Sequence, residues 1–303
     1  MDLEALKKIK QNPVHARIIS YFVHRADRDD NIRACYIIGS LAQKDAYPTP
    51  YSDLDIELIV KQKEAFTQDL DWVDDIQKKE FLYLQRPSDG NGEEVRVLFS
   101  ENMRSVDFTF LTFDEFKKCY ASKQYLNGVF GRGVVSLVDK DGIIEGLEVE
   151  KINTIPPLNK QTFNTAYKDV LFHLIYAKNK ILAGELLTAK NTIDVSIRES
   201  LMKFIRWEEN LRNPEKDLWH RARHFEKWAN EDHKLLIENA SPKYSKVGME
   251  KSLLLINHHL MKIAGNISKQ TGIPLEYNRD ISDYLVGHSS TINLSLIRKK
   301  EYV

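Results

Sequence analysis

The stretch IIGSLAQKDAYPTPYSDLDIELIV, residues 37–60, decides the fold. An apolar strand ends in it at Gly39 and Ser40, a polar connection with two prolines follows, and a second apolar strand opens with Asp53 and Asp55. Glycine lets the backbone approach a phosphate, and a helix start after it presents free N–H groups. The stretch therefore predicts a phosphate-binding turn next to a pair of carboxylates.

Asp53, Asp55 and Glu57 project from one face of the second strand, because successive side chains of a strand point to opposite faces. Adjacent carboxylates repel each other unless a cation lies between them. The simplest such cation is a hard divalent ion, which takes oxygen ligands. Glu57 is either a supporting group behind the two aspartates or a solvated strand residue, and the second interpretation is favoured.

Composition and charge are typical of a globular protein without a dominant electrostatic field. The 303 residues are 42% hydrophobic and 29% charged, which is enough chain for two domains with sizeable cores. Lys plus Arg and Asp plus Glu are 44 each, so the net charge favours neither nucleic acid nor an anionic membrane. A nucleic-acid partner would need a local basic groove.

The sequence predicts a cytoplasmic location. The N-terminal MDLEALKKIK lacks the apolar core of a secretory signal, and no apolar run is long enough to span a bilayer. The two cysteines, Cys35 and Cys119, do not make a disulfide framework, and the apolar run around Cys35 predicts its burial. We therefore expect no membrane partner.

Strands and helices alternate up to about residue 145, and helical periodicity takes over from residue 160. Strands are predicted over 32–38, 53–60, 81–85, 95–99, 105–112 and 134–138. Helices are predicted over 3–26 (with Asn12 and Pro13 as a cap and first helical position), 63–79, 112–120, 161–184, 192–212, 217–238 and 246–271. We predict an α+β protein, in which residues 1–152 form a mixed β-sheet flanked by helices and residues 153–303 form an all-α helix bundle.

An aspartate interrupts the apolar strand SVDFTFLT, residues 105–112. Aspartate is depleted in strands and costly to bury unpaired. Asp107 therefore lies on a solvated sheet face or an edge strand, or it is the third carboxylate of a two-metal site.

Gly39 and Ser40, Asp53 and Asp55 after a twelve-residue gap, and Asp107 on a later strand resemble the DNA polymerase β-like nucleotidyltransferase superfamily. Within it the chain is most similar to the bacterial aminoglycoside 6-adenylyltransferases, the streptomycin adenylyltransferases. Four stretches carry this closer resemblance: residues 30–40, 106–112, 135–142 and 184–207.

The resemblance implies an enzyme that moves AMP from ATP to a hydroxyl of a small molecule, first of all an aminoglycoside such as streptomycin. Asp53 and Asp55 would hold Mg²⁺ against the triphosphate, and Asp107 would share a second ion and act as the general base. Gly39 and Ser40 would contact the phosphates that leave as pyrophosphate. The N-terminal domain would be catalytic and the helical domain would bind the acceptor, with ATP as co-substrate.

Two parts of the helical domain depart from the family. The Gly-Lys segment of the family, which reaches the nucleotide, is replaced in this chain by LWHRAR, residues 218–223. Within it, Arg221 or Arg223 would supply the positive charge for the phosphates, or these arginines would lie on a solvated helix face. The family's tryptophan-rich antibiotic-binding helix corresponds to Tyr167–Ile181, which lacks tryptophan. The acceptor is therefore the least determined part of the prediction.

Other polar residues of the helical domain have ordinary interpretations beside functional ones. His220 and His224, four residues apart on a predicted helix, have the spacing of a zinc-binding pair, but no glutamate accompanies them in an H-E-x-x-H arrangement. We therefore favour their interpretation as residues of a helix surface. Glu185 and Asp194 would lie near a cationic acceptor or, by the favoured interpretation, be solvated. Six aromatic residues at helical spacing are expected mostly in the core: Phe172, Tyr176, Phe204, Trp207, Phe225 and Trp228.

Three alternatives stay open from the sequence. The acceptor could be a lincosamide, or it could be a protein or a tRNA end, as for an antitoxin, which would need a basic or protein-binding groove. The chain could also be a binding protein that kept the fold and lost the chemistry. The intact set of Asp53, Asp55 and Asp107 argues against this last alternative, and the missing Gly-Lys segment argues for it. The oligomeric state is not determined by the sequence.

Overall fold

The structure, a computed structural model, describes residues 3–43, 49, 51–86, 92–131, 133–150, 155–218, 222–277 and 280–287. The chain divides into two compact units, Met1–Ile152 and Asn153–Val303, which we call the N-terminal and C-terminal units. Within the described ranges, no helix combines the length and the apolar character needed to cross a membrane.

A mixed β-sheet forms the centre of the N-terminal unit. Its described strands are β1 (Ile32–Ile38), β2 (Leu54–Val60), β3 (Lys79–Gln85), β4 (Glu93–Phe99), β5 (Arg104–Thr112) and β6 (Val135–Asp139). They lie in the order β3-β4-β5-β2-β1-β6, with β2 and β5 parallel and the other neighbours antiparallel. The predicted strands and the α+β class are confirmed.

Helices lie on both faces of this sheet. On one face a large apolar core is formed with α1 (Leu3–Ile9), α2 (Pro13–Arg28), α3 (Glu64–Thr67) and α4 (Trp72–Ile76). There Trp72 meets Phe108 edge-on at 5.2 Å between ring centroids, and Cys35 is buried as predicted. On the other face a smaller core is formed with α5 (Phe113–Cys119) and α6 (Lys123–Phe130).

The helix predicted over 3–26 is two helices, α1 and α2. Asn12 caps the second helix, because its Oδ1 accepts hydrogen bonds from the backbone N–H groups of Val14 and His15 at 2.9 and 3.4 Å. Pro13 occupies the first helical position. The capping signal at Asn12 is confirmed, and it ends the preceding helix instead of lying inside one long helix.

The helix predicted over 63–79 is also interrupted. It consists of the short helices α3 and α4, and β3 already begins at Lys79. Between the two helices the side chain of Asp69 accepts a hydrogen bond from the backbone N–H of Asp71 at 2.9 Å. Such a local bond competes with the helical hydrogen-bond pattern.

The C-terminal unit is a helix bundle, as predicted. Its described helices are α7 (Lys160–Leu182), α8 (Leu186–Asn191), α9 (Arg198–Arg212), α10 (Phe225–Trp228), α11 (Glu231–Asn239), α12 (Lys246–Thr271) and α13 (Ser282–Val286), with a π-helical segment over Thr192–Ile197. Helices α7, α9 and α12 pack on one another. Trp207 of α9 is buried and donates its indole N–H to the carbonyl of Pro156 at 2.8 Å.

The prediction of one helix over 217–238 is wrong. Ala222 and His224 have φ values of 57° and 55°, which a right-handed helix does not contain. The short helices α10 and α11 follow, and Asn230 caps α11 by accepting a hydrogen bond from the backbone N–H of His233 at 3.0 Å.

The aromatic residues of the bundle divide between core and surface. The prediction that six of them lie mostly in the core is confirmed, and the exceptions are Phe172 and Tyr176, which are 65% and 38% exposed. Helix α7 buries a different stripe that includes Phe163 and Tyr167. The other four aromatic residues predicted in the core are buried: Phe204, Trp207, Phe225 and Trp228.

Candidate active site

Asp55 and Asp107 lie side by side on one face of the sheet. They are register partners on the parallel strands β2 and β5, so their side chains leave the same face. Asp53 lies one residue before β2, and its charge acts on the carboxyl group of Asp107. The structure thus brings the three predicted aspartates together, and their catalytic and metal-binding roles stay predictions.

Gly39 and Ser40 form a tight turn directly after β1. Gly39 has a φ of 72°, in the left-handed region that favours glycine. A Cβ at this position would lie 2.1 Å from Oδ2 of Asp55, so the turn packs directly against that carboxylate. The Oγ of Ser40 is buried and has no hydrogen-bond partner among the described residues. A buried polar atom of this kind is available to a ligand.

The carboxyl group of Asp107 has a raised proton affinity. Burial raises its pKa to about 6 against the opposing effect of Arg96, and the charges of Glu94 and Asp53 add to the rise. The Nε of Arg96 lies 3.6 Å from Oδ2 of Asp107, which is an ion pair without a hydrogen bond. A group of this kind suits proton transfer near neutral pH.

Arg96, Glu94 and Tyr83 extend the same face beyond Asp107, and sequence reasoning missed them. Arg96 on β4 is the register partner of Asp107, and Tyr83 on β3 is the register partner of Arg96. The Nη2 of Arg96 donates a hydrogen bond to Glu94 at 3.3 Å, and hydrogen bonds to Glu94 and Tyr83 raise the pKa of the guanidinium. Strand alternation puts Glu94 and Arg96 on one face, but only the strand order shows that Asp107 shares it.

Glu57 is buried in the sheet, so its favoured interpretation as a solvated residue is wrong. Its Oε2 accepts hydrogen bonds from the hydroxyl groups of Tyr36 at 2.7 Å and Tyr120 at 2.8 Å. Burial raises the pKa of Glu57, and the two tyrosine hydroxyls oppose that rise. Glu57 therefore links β2 to β1 and to Tyr120, the residue that follows α5, at a position two residues after Asp55 on the same face.

The arginines predicted to contact phosphate belong to the C-terminal unit. Arg221 and His220 lie outside the described residues. Arg223 is half-buried before α10, and its carbonyl accepts the indole N–H of Trp228 at 2.8 Å. The phosphate contacts of Arg221 and Arg223 stay predictions. His224 has a left-handed backbone conformation, so it does not lie within a regular helix.

Glu185 and Asp194 are engaged in ion pairs with lysine and arginine side chains. Glu185 pairs with Lys180 at 2.9 Å, and Asp194 pairs with Lys190 and, at 3.3 Å, with Arg198. Both carboxylates are partly accessible to solvent. These contacts agree with their interpretation as surface residues.

The donor set of the site suits a hard divalent cation. Asp53, Asp55 and Asp107 offer only carboxylate oxygens, the ligands that Mg²⁺ prefers in proteins. Among the residues that the structure describes, no three His, Cys, Asp or Glu side chains converge closely enough to hold a metal ion. The three side chains therefore fit Mg²⁺ by the chemistry of their donor atoms, and their metal-binding role stays a proposal.

Comparison with known proteins adds independent information to this geometry. The family model described as streptomycin adenylyltransferase matches residues 14–287. An aminoglycoside 6-adenylyltransferase of Bacillus subtilis (strain 168) is 23% identical over 200 residues, which are 63% of this chain and 67% of the relative.

Two solved structures are similar to the chain. An aminoglycoside 6-adenyltransferase from Bacillus subtilis has 16% sequence identity and a TM-score of 0.41, with 94% of this chain and 96% of that chain covered. A nucleotidyltransferase-like protein from Exiguobacterium sibiricum 255-15 has 10% identity and a TM-score of 0.31, with 95% and 92% covered.

Proposed function

The chain belongs to the streptomycin adenylyltransferase family and is thus an adenylyltransferase, and from this premise we propose that it transfers AMP from ATP to a hydroxyl group of an aminoglycoside such as streptomycin. The observation that carries the proposal is the register pairing of Asp55 with Asp107 beside the Gly39 turn. This arrangement places a carboxylate for the metal, a close backbone approach for phosphate and the carboxylate of Asp107 for proton transfer next to one another.

The proposed reaction is an in-line displacement at the α-phosphorus of ATP. The acceptor oxygen forms a bond to this phosphorus while the bond to the oxygen of the β-phosphate breaks, and pyrophosphate leaves. The proton of the acceptor hydroxyl passes to a carboxylate oxygen of Asp107. Gly39 and the unpartnered hydroxyl of Ser40 bind the leaving phosphates at the β1 side of the site.

Asp53, Asp55 and Asp107 are the residues that would hold Mg²⁺, in our proposal two ions. When bound, the metal supplies charge stabilisation to the attacking and leaving oxygens. The carboxylates in turn orient the triphosphate, and the buried Glu57, two residues after Asp55 on the same face, keeps β2 in position.

We assign acceptor binding to the C-terminal unit, residues 153–303, and contacts with the triphosphate to Arg221 and Arg223. The guanidinium group suits this role because its planar fork matches a phosphate. The availability of ATP and Mg²⁺ supports a cytoplasmic location for the reaction.

The test is an acceptor panel. The purified protein is incubated with Mg²⁺, labelled ATP and, separately, streptomycin, other aminoglycosides, a lincosamide and tRNA. We expect pyrophosphate release together with an adenylylated aminoglycoside, identified by mass spectrometry. Turnover with the lincosamide or tRNA alone would contradict the aminoglycoside, and no turnover together with no ATP-dependent thermal shift would contradict the enzyme function.

A further inference from the structure

An aligned row of side chains crosses five strands of the sheet. Ile38, Asp55, Asp107, Arg96 and Tyr83 are successive register partners on β1, β2, β5, β4 and β3. Neighbouring strands lie about 4.8 Å apart, so Arg96 follows Asp107 after one strand spacing and Tyr83 after two. The row leads from the Gly39 end, past the aspartates, to the edge strand β3.

The geometry of in-line displacement indicates from which end of this row the acceptor approaches. The attacking and leaving oxygens lie on opposite sides of the phosphorus. With the leaving phosphates at Gly39 and Ser40, on the β1 side, the acceptor hydroxyl approaches Asp107 from the side of β4 and β3.

That side of the face is exposed, whereas the β1 side is covered. Around β1 the face is buried by α5 and α6, and the rings of Tyr36 and Phe130 lie 5.4 Å apart there. On β3 and β4, Phe81 and Tyr83 are 54% and 46% exposed, and the side chain of Arg96 is 38% exposed. An approaching acceptor therefore meets aromatic rings and a guanidinium group before it reaches Asp107.

We propose that Tyr83 and Arg96 of the N-terminal unit form an additional acceptor subsite, beside the contacts assigned to the C-terminal unit, that takes a sugar or cyclitol ring of the acceptor. The inference rests on the proposed adenylyl transfer. The ring of Tyr83 packs against the apolar C–H face of the acceptor ring, and the guanidinium of Arg96 donates hydrogen bonds to its hydroxyl oxygens.

The subsite is oriented and electrostatically balanced before the acceptor binds. Hydrogen bonds to Glu94 and Tyr83 hold the guanidinium of Arg96, which lowers the entropy that binding must remove. Glu94 at 3.2 Å and Asp107 at 3.6 Å offset the charge of Arg96. The subsite therefore accepts a cationic aminoglycoside as well as a neutral sugar.

Three variants and one matched control test the subsite, with the panel acceptor that the wild type turns over fastest. Arg96→Met and Tyr83→Ala are expected to raise KM for this acceptor about tenfold, because each removes one contact, while KM for ATP stays unchanged. Tyr83→Phe keeps the ring and is expected to have a smaller effect. The control is Arg86→Met, because Arg86 lies just past β3 with a side chain that is 77% exposed and pairs only loosely with Glu93 at 3.4 Å.

The outcomes separate the subsite from the proposed function. If the wild type turns over an acceptor and both Arg96→Met and Tyr83→Ala keep its KM for that acceptor, the subsite alone is overturned. A rise in KM for ATP in place of a rise in KM for the acceptor would overturn it as well. If no panel acceptor is turned over, the proposed function fails, and calorimetric titration with streptomycin decides the subsite. Weaker streptomycin binding by both variants than by wild type then supports it, and equal or undetectable binding overturns it.

Discussion

The turn at Gly39 and the carboxylate of Asp55 are in such close contact that a side-chain carbon on residue 39 would lie 2.1 Å from Oδ2. A carbon and an oxygen atom that are not bonded to each other cannot lie so close, so either the turn or the carboxylate would have to move. The turn proposed for the phosphates and the carboxylate proposed for the metal are therefore one packed unit.

Gly39→Ala is expected to disturb both parts of this unit. Its left-handed φ alone costs about 1–2 kcal/mol for an alanine, and displacement of Asp55 adds a loss of turnover of about 100-fold. The matched control is Gly142→Ala, because Gly142 also has a positive φ, 65°, but no atom within 4 Å of an added Cβ. Urea unfolding and turnover separate the two effects, and equal losses of turnover in both variants would contradict the contact with Asp55.

Asp107→Asn is expected to lower turnover by about 10²–10⁴-fold, because an amide cannot accept the hydroxyl proton. The unfolding midpoint is expected to change little, because the amide replaces the half-buried carboxyl group isosterically. Asp114→Asn is the control, since the side chain of Asp114 is 79% exposed and pairs only with Lys117 among its described contacts. Retained turnover in Asp107→Asn would refute the assignment of Asp107 as the base.

Lys178 and Glu250 form a completely buried ion pair between α7 and α12, with Nζ and Oε1 2.8 Å apart. Lys178→Met is expected to destabilise the protein by about 3–5 kcal/mol, because it leaves a buried carboxylate without its cation. Adding Glu250→Gln is expected to restore most of this loss. The free energy of unfolding in urea measures both steps.

The exposed pair of Lys168 and Glu276, also 2.8 Å apart, is the control for this cycle. Breaking it by Lys168→Met is expected to cost under about 1 kcal/mol, because water screens exposed charges. A loss in Lys178→Met as small as that in Lys168→Met would show that burial does not strengthen the inner pair.

His233 is buried between two carboxylates, with Nε2 2.6 Å from Glu208 and Nδ1 2.9 Å from Glu209. Burial lowers the pKa of His233, but the hydrogen bonds to Glu208 and Glu209 outweigh it and raise the pKa above 6.5. For Glu209, burial raises the pKa, and the bonds from His233 and Asn230 bring it down to about 2. Arg212 and Lys216 face the same carboxylates at 3.6 and 3.5 Å.

These shifts predict a maximum of stability in mildly acidic solution. The raised pKa of His233 stabilises the fold fully below pH 6.5, and this contribution is lost as the pH rises through the folded-state pKa. The lowered pKa of Glu209 stabilises the fold above pH 4.5, and this contribution is lost as the pH falls toward 2.

His233→Gln tests this pH dependence. We expect thermal unfolding of the wild type to occur at a lower temperature at alkaline pH than between pH 4.5 and 6.5, the unfolded-state values of Glu209 and His233. The variant is expected to be less stable in that window and to lose most of the decline toward alkaline pH. An identical pH profile in variant and wild type would contradict a charged His233.

Local patterns predicted the strands and the positions of the aspartates, and they failed where a distant contact decides the conformation. Asn12 signals its helix start through its own side chain, so the sequence revealed it. The burial of Glu57 depends on Tyr120, 63 residues away, whose hydroxyl reaches it only after α5 packs on the sheet. An isolated strand pattern therefore assigned Glu57 to solvent.

By itself, the sequence determined the mixed α+β class and the glycine turn, because period-two alternation and residue chemistry are local properties, and through the family resemblance it predicted the set of Asp53, Asp55 and Asp107. Only the tertiary structure decided which strands are neighbours, and with that the row from Asp107 through Arg96 to Tyr83. Strand order arises from pairing between segments far apart in the chain, and the side chains of one strand carry no record of which strand lies beside them.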